Sequence, residues 1–367
     1  MGNELAYMSE AIKRGQVSGD GYFTRKCHKY LERALGVPRV LLTTSCTDAL
    51  ELAALLLNLR SGDEIIASSF TFVSTVNAFV LRGARPVFID IHPDTLNMDE
   101  SQIEESITPR TKAIIPMHYA GIGCEMDAIT QIARHHKIKV IEDNAHGIFG
   151  KYKGKYLGTF GSLAVQSFHE TKNFICGEGG ALLINEPSYI ARAEILREKG
   201  TNRTRFFRGQ VDKYTWVDIG SSFLPSDLLA AFLYAQLERR KRIQQLRQSV
   251  WNYYYKNLKE WAEKNDVQLP FIPKYCKQSY HMFYLILPSH KAQRKLIQLL
   301  ASKKILSVFH YLPLHLSPMG REFGGKKGDC PVTESVSKRL LRLPFYNNLS
   351  VSEQDRIIAT VTKFSAC

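Results

Sequence analysis

The stretch SFHETKNFICGEGG, residues 167–180, stands between two apolar runs, LAVQSF (163–168) and ALLIN (181–185), that read as strands. Lys172 therefore sits on a loop between buried elements. A lysine on a turn is ordinarily a solvated surface charge. Here Ser167 lies five residues upstream, where a hydroxyl can hold a phosphate, and the Glu-Gly-Gly run that follows lets the backbone approach a ligand closely.

Outward from this segment, RVLLTT (39–44), EIIAS (64–68), PVFIDI (86–91), AIIP (113–116) and KVIED (139–143) are further short apolar runs. Between them, residues 48–57, 73–82 and 126–136 carry apolar side chains at three- and four-residue spacing. The alternation predicts an α/β fold with a mostly parallel sheet wrapped by helices, and excludes a β sandwich. A chain of 367 residues exceeds one ordinary core, so two domains are expected. Beyond Pro187 the pattern is helical to Lys199, and residues 200–220 form a polar, aromatic-rich loop of the length that tends to be functional. A helix capped by Ser226 and Asp227 runs to Gln236 and leads into a charged connector, 237–259. The division falls near residue 236, giving a large domain (1–236) and a small C-terminal α+β domain (237–367) with a strand at 281–287 and a helix at 293–303.

Composition narrows the function. Hydrophobic residues at 44% and charged residues at 23% belong to a folded chain, not a disordered one. A net charge of +14 attracts anions, but the basic residues are dispersed and no RNP, zinc-finger or basic-zipper pattern occurs. A small anionic ligand is expected, and no nucleic acid. Cys27, Cys46, Cys124, Cys176, Cys276, Cys330 and Cys367 form an odd set without a C-x-x-C pair, which argues for reduced thiols and against a disulfide framework or a metal site. The opening MGNELAYMSEAIKRG is amphipathic, and Ala6 stands where the myristoylation pattern wants Ser or Thr. With no run of membrane-spanning length, a cytoplasmic protein without membrane attachment is expected.

Three further features carry chemistry. Asp143 closes an apolar strand at the carboxyl end, where open α/β sheets place ligands, and is followed by Asn144, Ala145 and His146. There a carboxylate can pair with a protonated pyridine nitrogen, or simply cap the next helix. Ser45, Cys46 and Thr47 stand where a strand hands over to a helix, so backbone amides and hydroxyls can hold a phosphate as well as cap the helix. Phe72 heads another helix, placed either to stack on an aromatic ring or to enter the core.

Together, SFHETKNFICGEGG (167–180), EDNAH (142–146), SCT (45–47) and SFTFVST (69–75) resemble the sugar aminotransferases of the DegT/DnrJ/EryC1/StrS family. The resemblance covers nearly the whole chain. Within that family GTNR (200–203), FFRGQVDKYTW (206–216) and FHYLPLH (309–315) are most similar to the dTDP-4-amino-4,6-dideoxygalactose transaminases. The resemblance implies a type I pyridoxal-phosphate (PLP) aminotransferase fold and a homodimer with shared active sites. Lys172 would carry the cofactor as a Schiff base, Asp143 would pair with its pyridine nitrogen, and His146 would lie near its phenolic oxygen. Ser45, Cys46, Thr47 and Ser167 would surround the phosphate, with Phe72 over one ring face.

The substrates implied are a dTDP-4-keto-6-deoxy-hexose and glutamate, giving a 4-amino-4,6-dideoxy sugar of galacto or gluco configuration for cell-surface polysaccharide such as O-antigen. The alternative is amination of a 3-keto-6-deoxy sugar at C-3. Arg208 is the first choice for the nucleotide phosphates; His310, Tyr311 and His315 are candidates near the sugar, or parts of a packed turn. Relatives with His at the lysine position act as dehydratases, a class that Lys172 disfavours. The chain departs from the family pattern at Leu224, where many members place an Asn that reaches the neighbouring subunit's cofactor phosphate; Ser221 and Ser222 remain to replace it. It also opens at GNEL, without the family's Ile-Pro-Phe lead.

Overall fold

A computed structural model describes residues 2–366; Met1 and Cys367 lie outside the described residues. The hairpin that holds residues 167–180 organises the large domain. Its arms, Leu163–Ser167 and Gly180–Ile184, pair antiparallel with Ser167 opposite Gly180. Gly180–Ile184 also pairs antiparallel with Arg39–Thr43 on its other side. The remaining pairings are parallel, and the seven strands stand in the order Arg39–Thr43, Gly180–Ile184, Leu163–Ser167, Lys139–Asp143, Thr111–Ile115, Glu64–Ser68, Arg85–Ile89. One strand thus runs against all the others, and the loop before it emerges where the parallel strands end.

The apolar runs are nearly continuous because both faces of the sheet are covered. Leu41, Leu163, Val165, Leu182 and Ile184 meet the helices Cys46–Leu56 and Ile190–Arg197 on one face. Val40, Leu42, Ala164, Ala181 and Leu183 meet Tyr22–Leu35 and Asp227–Glu238 on the other. The helix Asp227–Glu238 begins at a Ser226 cap, as the sequence predicts. Core membership passes to the small domain inside the next helix, Arg240–Lys264, where Ile243 packs in the large domain and Val250 in the small one. The small domain packs that helix, His290–Ser302 and Val351–Thr362 about the paired strands Tyr284–Ile286 and Leu340–Arg342. The segment 200–220 is not wholly a loop: Arg203–Phe207 forms one short helix, and Thr201 bridges Trp216.

Two buried aspartates join distant elements by capping helices that lack caps of their own. Helix Tyr22–Leu35 starts at Gly21, which has no side chain to accept its first amides. Asp227 accepts from Phe23 N at 3.1 Å, Thr24 N at 2.8 Å and Thr24 Oγ1 at 2.7 Å. Asp90, past the end of the Arg85–Ile89 strand, does the same for helix Pro331–Arg339, accepting from Val332 N at 2.7 Å and Thr333 N at 2.8 Å. Asp227→Ala strands two buried amides, so a loss of about 3 kcal/mol or more is expected in urea unfolding, with Asp227→Asn intermediate. Equal midpoints for the Ala variant and the parent would show that the cap does not hold this corner.

Candidate active site

Asp143 ends its strand buried, and both carboxylate oxygens are held: Oδ2 accepts from Thr75 Oγ1 at 2.6 Å and Oδ1 from Ala145 N at 3.1 Å. Thr75 is itself 2.8 Å from Thr71 Oγ1, so the carboxylate's direction is fixed by a chain of hydroxyls. Further lone pairs on those oxygens remain for a proton donor arriving at the strand end.

The Lys172 loop is rigid for local reasons. Phe168 N donates to Gly179 O at 2.8 Å and Glu170 N to Gly177 O at 2.8 Å, which narrows the loop, while Phe168 and Phe174 are buried beneath it. Asn173 fixes the position beside the lysine: its Nδ2 donates to Ser279 O at 2.7 Å and its Oδ1 meets His281 Nδ1 at 2.9 Å. Burial pushes the Lys172 ammonium down to about 8, Cys46 and Asp143 oppose that shift, and Arg342 adds to it. Burial pushes the Cys46 thiol well up, so it stays neutral and Asp143 is the effective counter-charge. Roughly a tenth of Lys172 is then the free amine at neutral pH.

Ser45 caps helix Cys46–Leu56 by accepting from Asp48 N at 3.0 Å, and Thr47 Oγ1 donates to Ser74 Oγ at 2.8 Å. Gly180 brings this helix start to the hairpin. It faces Ser167 on one side and Thr43 on the other, and a Cβ on it would lie 2.4 Å from Ser45 O and from Cys46 N. The absent side chain is what lets the helix N-terminus, Ser167 and the lysine loop share one space.

His146 is buried and stacks on His281, with centroids 4.1 Å apart. Burial holds it well below the usual imidazole range, helped by Lys172, so it is neutral. Its Nε2 is 3.4 Å from Tyr311 Oη, and its buried Nδ1 has no partner among the described residues. Phe72 is 55% exposed and 6.3 Å from the Tyr311 ring, an aromatic face open at the mouth of the site. His310 Nδ1 meets Tyr119 Oη at 3.0 Å.

Lys172, Asp143, Cys46, His146 and Tyr311 are thus brought together, and Ser45, Thr47, Ser167, Phe72 and His310 border them. His315 has no ring atom left for a ligand: it is fully buried, with Nδ1 2.6 Å from Ser69 Oγ and Nε2 3.2 Å from Glu334. Arg208 makes two 2.8 Å bonds to Glu194 and lines a different cavity, of about 790 Å³, with Asp20, Arg197, Ser222 and Leu224. Thr75, Asn173 and His281 were missed in the sequence. Thr75 and Asn173 lie inside the diagnostic stretches, whereas His281 reaches the site through a strand pairing of Cys276–Lys277 with Lys151–Tyr152 that nothing local announces.

PLP fits these groups. An oriented carboxylate, a lysine with a lowered pKa, an unpartnered buried imidazole nitrogen and a hydroxyl-lined helix start opened by Gly180 answer its ring nitrogen, aldehyde, phenolic oxygen and phosphate. The DegT/DnrJ/EryC1/StrS aminotransferase family matches residues 1–362. The chain is 31% identical over 366 residues to the spore coat polysaccharide biosynthesis protein SpsC of Bacillus subtilis, covering 98% of this chain and 93% of that one. Among solved structures, Spr1654 of Streptococcus pneumoniae in its PMP form superposes with a TM-score of 0.92 at 26% identity, covering 100% of this chain and 97% of that one. DesV of S. venezuelae gives 0.90 at 27%, covering 99% and 94%. The fold is therefore the type I PLP aminotransferase fold that the sequence implied.

Because Gly180 opposes backbone and not a flexible side chain, Gly180→Ala must displace the helix start. A loss of about 1–3 kcal/mol in urea unfolding is expected, together with weaker retention of PLP through gel filtration. Full stability with full retention would refute the role given to this glycine.

Proposed function

The chain belongs to the DegT/DnrJ/EryC1/StrS aminotransferase family and is a PLP-dependent sugar aminotransferase; we propose that it aminates C-4 of a dTDP-4-keto-6-deoxy-hexose with glutamate as donor. The product is a dTDP-4-amino-4,6-dideoxy-hexose for cell-surface polysaccharide. The observation that carries the chemistry is a lysine with a lowered pKa beside an oriented aspartate at the carboxyl end of a parallel sheet. The acceptor rests on the strings 200–216 and 309–315 and on the basic, aromatic composition of the first. The name of SpsC, a polysaccharide biosynthesis protein, supports the pathway class.

In this reading Ser45, Cys46, Thr47, Ser167 and the amides of helix Cys46–Leu56 hold the cofactor phosphate, and Phe72 covers one ring face. Asp143 accepts the pyridine N–H and keeps it charged, with Thr75 fixing the carboxylate. His146, neutral, offers Nδ1 to the phenolic oxygen. When bound, PLP supplies an electron sink for the carbon that bears the amine. Lys172 Nζ takes a proton from the donor's α-carbon and later returns one to the sugar carbon, working as base and then as acid. Tyr311, His310 and Tyr119 close the site against water.

Arg208 and the Leu224 segment stand on the 790 Å³ cavity, apart from Lys172. A second copy completes the site in a homodimer by bringing the 203–216 segment to the partner's acceptor, and His315 is left to packing.

Incubation with dTDP-4-keto-6-deoxyglucose and glutamate should yield a C-4 amine by NMR, and Lys172→Ala should lower turnover at least about 1,000-fold. An amine at C-3, or no product with any 4-keto sugar, would overturn the acceptor assignment. Since the free amine captures PLP, uptake by cofactor-free enzyme should rise from pH 6 to about 8 and then level off. A flat profile over that range would show that the Lys172 pKa is not lowered as described.

A further inference from the structure

Among the described residues Arg342 is partly buried with neither an acid nor a full set of other partners; Arg240 and Arg339 also lack an acid, but Arg240 lies over the Phe149 ring and bonds Tyr156 Oη, and Arg339 bonds Leu287 O and Ser335 Oγ. Arg197 pairs with Asp20, and both Arg39 and Arg208 pair with Glu194. The buried Arg247 spends its guanidinium on the carbonyls of Tyr280 and His281 and on Asn347 Oδ1. Among the described residues no carboxylate pairs with Arg342, and its buried Nε has no hydrogen-bond partner. Its one side-chain hydrogen bond there is weak, from Nη1 to His310 Nε2 at 3.4 Å. That bond makes Nε2 the acceptor, so Nδ1 carries the His310 proton and donates it to Tyr119 Oη. The imidazole is neutral and cannot serve as the missing counter-charge.

The backbone beneath this cation is fixed. Arg342 faces Tyr284 across the small domain's strand pair and exchanges hydrogen bonds with Val308 at 2.8 and 3.3 Å. Its side chain meets His310, whose ring stacks toward His146 with centroids 6.1 Å apart. The guanidinium adds to the lowering of Lys172, His146, His281 and His310 alike, so its charge is felt at the reacting lysine. It is no part of the phosphate cradle, which Ser45–Thr47 and Ser167 build.

A buried donor without a partner is costly, and a buried cation without an anion more so. The space beside Arg342 is therefore shaped for an anion that arrives with a ligand. The guanidinium fork matches a carboxylate in two parallel bonds. An amino-acid donor reacts at its α-carbon, and its α-carboxylate is attached directly to that carbon, so it must lie in the neighbourhood of Lys172. The diphosphate of a sugar nucleotide lies on the far side of the sugar ring from C-4. We propose that Arg342 is the anchor for the α-carboxylate of the amino-acid donor, with His310 as the neutral positioning residue beside it. The proposal rests on the reading that an amino-acid donor reacts at Lys172, and adds the group that binds and orients it.

The test uses PLP-loaded enzyme without acceptor and follows stoichiometric release of keto acid against donor concentration. In Arg342→Gln the half-saturating donor concentration should rise on the order of 100-fold, by the same factor for L-glutamate, L-glutamine and L-alanine, which share the carboxylate. The KM for the sugar nucleotide and the uptake of PLP should stay within about twofold of the parent. Arg342→Lys, which keeps the charge and loses the fork, should recover part of the donor affinity, and it carries the same comparison if the Gln variant does not fold. Unchanged donor saturation, or a loss that falls on the sugar nucleotide KM instead, would overturn the anchor while leaving the aminotransferase reading intact. Absence of keto acid release from the parent enzyme with every amino acid would overturn the donor reading and the anchor together.

Discussion

The active site depends on a missing Cβ. Gly180 is the first residue of the single reversed strand, and the backbone of Ser45 and Cys46 passes where its side chain would be. That close approach sets the start of helix Cys46–Leu56 against the end of the Leu163–Ser167 strand. Two independent parts of the sheet, the first strand-to-helix turn and the last hairpin, therefore meet at one point. The lysine loop is hung from the same hairpin, so its height above the sheet is fixed by the strand pairing and not by the loop's own length. Reversing only one strand achieves this: a parallel connection would carry the chain after Ser167 back to the opposite end of the strands before the next strand could begin.

Electrostatics then decide which groups stay charged. The site holds Lys172, Arg342 and the nearby Arg247, while Asp143 is the acid oriented toward it. Three imidazoles that would add to this excess are kept neutral by burial and by the cations themselves. The surplus suits a site that takes an anionic cofactor, since PLP brings its phosphate. The net charge of +14 points the same way at long range, and the buried surplus shows where the attraction becomes specific.

The strands and most large-domain helices were legible because each is a run buried on both faces or a stripe buried on one. Lys172, Asp143 and Ser45–Thr47 were legible because they occupy junctions where sheet geometry presents side chains to a ligand. Three kinds of feature were not. The reversed direction of Gly180–Ile184 leaves no mark in its composition, since a strand buried on both faces reads alike in either direction. Asn173, Ser279 and His281 form one network across more than a hundred residues of chain, through pairings two residues long. Arg342 ends a three-residue strand and belongs to no motif; what marks it is a buried Nε without a partner and no carboxylate beside it among the described residues, which only three dimensions reveal.

The position of Arg342 relative to Lys172 follows from two cross-ties between the domains. From one side, Asp90 at the end of a large-domain strand caps helix Pro331–Arg339, and the strand Leu340–Arg342 follows that helix directly. From the other, Asn173 beside the lysine grips Ser279 and His281, and the chain runs from there into Tyr284, which faces Arg342 across the strand pair. The two routes close a ring through sheet, helix, strand and lysine loop. A shift of the small domain would have to break a buried carboxylate's bonds to two amides or uncouple the residue next to Lys172. Both are costly in a dry interior, so the ring holds the lysine and the arginine at a fixed separation. A sugar aminotransferase site must accept an amino donor and a sugar in turn at the same lysine, and a fixed frame around Lys172 keeps the reacting carbon of each in the same place.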